Sequence, residues 1–187
     1  MEAKKLKTVD DLFNSTEERL ELINGELIQR PMARFEHGAS QAGTYGELLP
    51  IARRKGHGGW WIVTEVNVKY GEHHCPCHDL AGWRKERVKD RPSGVIDIIP
   101  DWVCEITSPG HEKKDLMTNF MLLQNYGVGY YWIVSPEDRT LIAYQLVDGK
   151  YHVIFSGQFN KDEPSIKVRI QPFSEIEIDL GFIFGDQ

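Results

Sequence analysis

Pro100-Asp101-Trp102-Val103-Cys104-Glu105-Ile106-Thr107-Ser108-Pro109 reads as a short buried strand with a single acid inside it. Apolar and β-branched residues run from Trp102 to Ile106, and Ser108-Pro109-Gly110 stops them, which predicts a strand over 101–107. A carboxylate buried at Glu105 is costly unless a cation compensates it. Asp79 poses the same problem in the strand predicted from Cys77 to Gly82. If the two strands are neighbours, opposed Cβ atoms lie ~5 Å apart, close enough for both carboxylates to reach one divalent ion. The bland alternative stays open: Glu105 faces solvent and Asp79 caps a turn, because alternation does not say which face is buried.

Outward from this pair, the chain alternates strand and helix signals. Asn24-Gly25, between Leu20-Glu21-Leu22-Ile23 and Glu26-Leu27-Ile28-Gln29, predicts a hairpin with a type I′ turn. A helical period of apolar residues follows from His37 to Leu49, where Pro50 forces an end or a kink. Trp60 to Tyr70 reads as a strand, and the polar segment Trp83 to Gly94 as a surface loop. After the Ser108 break, Glu112 to Tyr126 carries Leu116, Phe120 and Leu123 on one stripe, with Gly127 as its stop. Tyr130 to Val134, Thr140 to Leu146 and Tyr151 to Phe155 are strands joined by Pro136-Glu137-Asp138 and Asp148-Gly149, and a late strand spans Ile166 to Ile170. The order predicts an α/β fold of α+β type, a mixed sheet flanked by helices.

The whole chain sets limits. Its 187 residues, 41% hydrophobic, suffice for one core without staples. No stretch approaches the roughly 18 apolar residues of a membrane span, and the start lacks a secretory signal, so a soluble cytoplasmic protein with no membrane partner is expected. Three cysteines, an odd number, do not form a disulfide framework. A net charge of -6 argues against a general nucleic-acid coat. It leaves room for a local basic patch, and Arg84, Lys85, Arg87, Lys89 and Arg91 supply one, unless they are simply a solvated loop.

Asp79-Leu80-Ala81-Gly82-Trp83-Arg84, then Pro100 to Pro109, Asp115-Leu116 and Tyr126-Gly127-Val128 through Tyr131-Trp132-Ile133-Val134 closely resemble the Uma-two family of restriction endonuclease-like proteins. The likeness runs from about Glu21, through His37 and Gly58-Gly59-Trp60-Trp61, to Leu180. It implies a restriction endonuclease-like fold over 1–187, with the hairpin at about 20–29, a nuclease-like core at about 37–156 and a C-terminal strand and tail at about 164–187. It further implies a Mg²⁺- or Mn²⁺-dependent endonuclease acting on DNA, which in such enzymes often pairs as a homodimer. Asp79 is then the aspartate of the Pro-Asp motif and Glu105 the second metal ligand. Glu65 occupies another position that is usually acidic, and His37 matches a family histidine.

Two positions depart from the family pattern. His78 stands where the family has proline. The usual lysine two residues after the acid is Thr107 here, and the position to which relatives move it, four residues after Asp115, is Asn119. Asn can hydrogen-bond a water but brings no charge to a developing hydroxide or phosphorane. Lys113 and Lys114 lie about 120° and 140° round the helix from Asn119, although Lys113 reaches the site if the helix start unwinds. The expected roles are catalysis by Asp79, Glu105, Asn119 and Lys113, metal binding by Asp79, Glu105 and Glu65, and DNA binding by Arg84, Lys85, Arg87 and Lys114. The alternative is a non-catalytic nucleic-acid or protein-binding module.

A third possibility comes from Glu72-His73-His74-Cys75-Pro76-Cys77-His78-Asp79, where thiols and imidazoles crowd together. Cys75, Cys77 and His78 suit zinc by donor type. Small buried hydrophobes are the simpler reading of both cysteines.

Overall fold

The computed structural model describes residues 5–107, 114–162 and 166–186, and for 114–116 the backbone alone. Its centre is a six-stranded sheet ordered β3-β4-β5-β6-β7-β8. These strands are β3 (Trp60–Asn67), β4 (Cys77–Arg84), β5 (Trp102–Ile106), β6 (Tyr130–Ser135), β7 (Thr140–Val147) and β8 (Lys150–Gln158). All neighbours are antiparallel except β5 and β6. A parallel pair needs a crossover, and here the crossing chain carries a π-helical stretch, Lys114–Asn119, running into the α-helix α3 (Phe120–Tyr126). The helix predicted from 112 thus begins outside the described residues and is π-wound where the sequence suggested plain α. Gly127 stops it as expected, at φ 80°.

Side chains alternate between two cores, as the pleat demands. Leu80, Trp102, Cys104, Ile106 and Trp132 join one core with Leu48 and Ile51 of α2 (Phe35–Ala52). Phe173 sits at its middle, its ring centroid 4.9, 5.0 and 5.6 Å from those of Trp60, Trp102 and Trp132, each pair edge to face. Ala81, Trp83, Val103, Tyr131 and Ile133 face the other core with Leu122 and Leu123 of α3. β5 is buried along its whole length, which explains why it is apolar at every position but Glu105. α2 runs through Pro50 to Ala52; the missing donor falls in its last turn, so the helix ends soon after rather than at the proline.

The N-terminal hairpin forms as the Asn24-Gly25 turn requires, with φ 51° and 71° at its centre, between β1 (Leu20–Ile23) and β2 (Glu26–Gln29). It docks on the approach to β4: Leu22 and Cys75 exchange backbone bonds of 3.1 and 2.7 Å, and the Cys77 N–H donates to the Glu21 carboxylate. A short helix, α1 (Val9–Phe13), opened by a Thr8–Asp11 capping box, packs Val9 and Leu12 on Leu22 and Cys75. The sequence reading missed α1. It missed too the pairing of β9 (Lys167–Val168) with β10 (Ile178–Asp179), which leads into α4 (Leu180–Ile183) against α2. Gly43 permits that approach, since a Cβ there would meet the Phe182 carbonyl at 2.3 Å. Among the described residues no helix is long and apolar enough to cross a membrane.

Candidate metal centre

The β4–β5 ladder pairs Leu80 with Cys104, Ala81 with Val103 and Gly82 with Trp102, so Asp79 and Glu105 are the next positions out. There the two acids replace the ladder. Asp79 Oδ2 accepts from the Ile106 N–H at 2.8 Å, and Glu105 Oε2 accepts from the Asp79 N–H at 3.4 Å. Both residues are buried, at 4% and 2% exposure. Each carboxylate therefore fixes the other's strand end before any ion is considered.

Beyond that shared footing the two acids look to different partners. Asp79 Oδ1 meets Arg30 Nη2 at 3.0 Å and His37 Nε2 at 3.4 Å. Glu65 joins it from β3, where φ of 50° puts a non-glycine residue in the left-handed region midway along a strand. That conformation costs on the order of 1–3 kcal/mol and turns the side chain out of the regular alternation. Gln41, one turn after His37 on α2, donates to both Glu65 Oε1 at 3.0 Å and the Asp79 carbonyl at 2.8 Å. Arg30 bonds Glu65 Oε2 and, at 3.1 Å, Cys77 Sγ.

Glu105 instead belongs to a buried polar chain. Its Oε1 lies 2.6 Å from His78 Nδ1 and accepts from Asn119 Nδ2 at 3.1 Å, while His78 Nε2 meets the Tyr70 hydroxyl at 2.8 Å. The proline-to-histidine departure thus has a local reason: His78 gives both Tyr70 and Glu105 a partner. Asn119 reaches the acid through its amide, and its buried Oδ1 has no hydrogen-bond partner among the described residues.

Charge follows these contacts. Burial pushes the Asp79 carboxyl up, but the His37 imidazole, the Ile106 N–H and the Arg30 guanidinium outweigh it and hold it below the usual carboxylate range. Burial opposes the charge on His37, but Asp79 and Glu65 prevail and raise its pKa. Burial likewise opposes the charge on Arg30, and Glu65, Cys77 and Asp79 more than restore it.

Among the described residues, one His–carboxylate group has donor atoms all within 4.8 Å of one another: His37, Glu65 and Asp79. An octahedral ion with bonds near 2.1 Å spaces its ligands at roughly 3 to 4.2 Å, so the two carboxylates and the imidazole would close by a few tenths of an ångström to hold a Mg²⁺- or Mn²⁺-sized ion, for which their donor types are suited. The predicted ligands Asp79 and Glu65 are brought together, with His37. Glu105 stands beside the group but outside it, engaged by His78, Asn119 and the Asp79 N–H.

The remaining candidates are dispersed. Cys75 lies in the small hydrophobic cluster with Leu22, Cys77 touches Arg30, and His78 bridges Tyr70 and Glu105. No cysteine joins a metal-capable group among the described residues. Burial pushes the Cys75 thiol up to about 11 and the Cys77 thiol up to about 12, away from the thiolate that zinc requires. Arg84, Lys85 and Arg87 stand at the far end of β4, at least five residues or ~17 Å from Asp79. There Arg84 covers the Trp60 ring, Lys85 donates to the Ala52 and Arg54 carbonyls, and Arg87 pairs with Asp101. β4 takes in Trp83 and Arg84, so the predicted loop starts two residues later, and buried Trp83 bonds the Ile98 carbonyl. Lys113 lies outside the described residues, as does the side chain of Lys114.

Sequence reasoning missed Arg30 and Gln41. Gln41 was within reach, since i+4 from His37 places it on the same helix face. Arg30 was not, because only the docking of the hairpin brings it to β4.

The family model described as "Putative restriction endonuclease", Uma2, matches residues 6–171. The chain belongs to the Uma2 family. A solved structure supports the fold: that of "a putative nuclease belonging to DUF820" from Anabaena variabilis, 22% identical, with a TM-score of 0.74, covering 95% of this chain and 97% of that one. A search of curated proteins found no match. This Uma2 chain therefore has a restriction endonuclease-like fold, with the paired acids of β4 and β5 at one end of its sheet.

Proposed function

We propose that this protein is a Mg²⁺- or Mn²⁺-dependent endonuclease hydrolysing DNA phosphodiester bonds, with its centre at Asp79. One observation carries the reading: Asp79, Glu65 and His37, from two strands and a helix, converge their donor atoms within 4.8 Å where β3 and β4 run side by side. When bound, the ion lowers the pKa of water and neutralises phosphate charge. Asp79 and Glu65 would hold it, with His37 as the nitrogen donor. Glu105 would stand beside the ion rather than on it; His78 and Asn119 orient it, leaving Oε2 on the Asp79 N–H. Gln41 fixes Glu65 against the Asp79 backbone.

Arg84, Lys85 and Arg87 would meet a duplex away from the point of cleavage, and Lys113 and Lys114 would meet it near the crossover. Pairing of two copies, expected for an enzyme that cuts both strands, is read by sedimentation. A plasmid-nicking assay with Mg²⁺ or Mn²⁺ tests the reading. Asp79→Ala should lose at least about a hundredfold in rate; equal nicking by both proteins would refute the site.

A second reading keeps the fold as a non-catalytic nucleic-acid or protein-binding module. It is favoured by the buried, uncharged Thr107 and Asn119. Under it the native chain nicks nothing and Asn119→Lys leaves it inert, whereas a gain of cleavage in Asn119→Lys would mark the native protein as a weakened enzyme.

A further inference from the structure

Arg30 is anomalous as a cation on a surface hairpin. Its side chain is only 13% exposed, and its guanidinium spends donors on Glu65, Asp79 and the Cys77 sulfur. Its position is enforced from both sides. The Arg30 N–H bonds the Arg19 carbonyl at 2.8 Å, extending the β1–β2 ladder by one pair, and the hairpin is itself bonded to Cys75 and Cys77. The backbone therefore fixes the Cα from which the side chain reaches the carboxylates.

Two of the three groups it links, Asp79 and Glu65, are the carboxylates of the metal-capable group. A planar guanidinium bridging two carboxylates supplies one positive charge where a divalent ion placed between them supplies two, so the two cations compete for the same oxygens. The two repel: an ion within bonding distance of these oxygens would lie a few ångströms from Arg30, at a site where Asp79 is buried and only Glu65 opens to solvent, so screening is partial.

We propose that Arg30 is the resident cation of this site, exchanged for the divalent ion on its entry and thereby freed to bind a phosphate oxyanion of the substrate. The proposal rests on the nuclease reading for its substrate, but the exchange itself concerns only this chain and the ion. A guanidinium anchored at the end of β2 and relieved of two carboxylates presents a donor fork of the geometry that phosphate takes. Metal binding and DNA binding are then linked through one side chain, because the ion both neutralises the acids and releases the arginine.

Titration calorimetry with Mn²⁺ on the full chain, wild type against Arg30→Gln, tests the exchange. Loss of the competitor should tighten Mn²⁺ binding roughly tenfold or more; unchanged or weaker binding overturns the proposal. Arg30→Lys, which keeps the charge but not the bidentate fork, guards against a variant that fails to fold, and should fall between the two. DNA binding is then measured with and without Ca²⁺, used as a non-cleaving ion. Wild type should gain affinity on adding Ca²⁺ by at least about tenfold more than Arg30→Gln does; an equal gain in both overturns the release to phosphate. Absence of nicking by the native protein would sink the nuclease reading and leave the Mn²⁺ comparison intact. Asp79→Asn that still binds Mn²⁺ would sink the site itself.

Discussion

His78 Nδ1 lies 2.6 Å from Glu105 Oε1, with both side chains enclosed by protein. Tyr70 completes the chain on the other imidazole nitrogen. Proline, the residue that the family resemblance implies at this position, would here orphan a buried hydroxyl and one carboxylate contact. His78→Pro should therefore destabilise the protein by about 3–5 kcal/mol. Urea unfolding reads this directly, and an unchanged midpoint would show that the network contributes nothing.

Glu65 allows a separation of backbone from side chain. Its φ of 50° is tolerated by Asn and resisted by β-branched residues. Glu65→Asn and Glu65→Val both remove the carboxylate, so their difference isolates the backbone. Val should be less stable than Asn by roughly 1–3 kcal/mol in denaturant melts. Equal stability would mean that β3 relaxes to ordinary strand geometry at this residue.

At the other end of the fold, Arg139 holds Asp186 by two bonds of 2.9 and 2.7 Å, tying the tail after α4 to the start of β7. The hydrogen bonds from Arg139, and then its charge, keep the Asp186 carboxyl below the ordinary 3.8. A depressed carboxylate stabilises above its unfolded pKa, and that contribution fades as pH falls through the folded value. Wild type should thus melt above Asp186→Asn near pH 7, and the two should converge as pH falls below about 4. The pair is partly exposed, so the gap should shrink in 1 M salt. A gap that persists in strong acid would place the effect in packing instead.

How much of this was legible in the sequence depends on the range of each interaction. Asn24-Gly25, Asp148-Gly149 and Gly127 name their turns and caps because those positions need positive φ, a property of one or two residues. β5 declared itself by its apolar run, and Asp79 and Glu105 by standing as acids in such surroundings. The split of their partners was not legible. Which oxygen faces Arg30 and which faces His78 is decided by the hairpin and the crossover, 49 and 14 residues from the acids they serve. The crowd of Cys and His before Asp79 misled for a related reason. His73 serves the Lys7 carbonyl, His74 the Asn24 N–H and Cys75 the small core, so a dense run of donors is parcelled out to separate neighbours.

The most direct test of the account is a Mn²⁺ titration of the wild-type chain and of Asp79→Asn at neutral pH, followed by calorimetry. One ion should bind the wild type and none the variant, whose side chain keeps the size of the carboxyl and loses its charge. Matching isotherms for the two proteins would contradict a cation site built on Asp79.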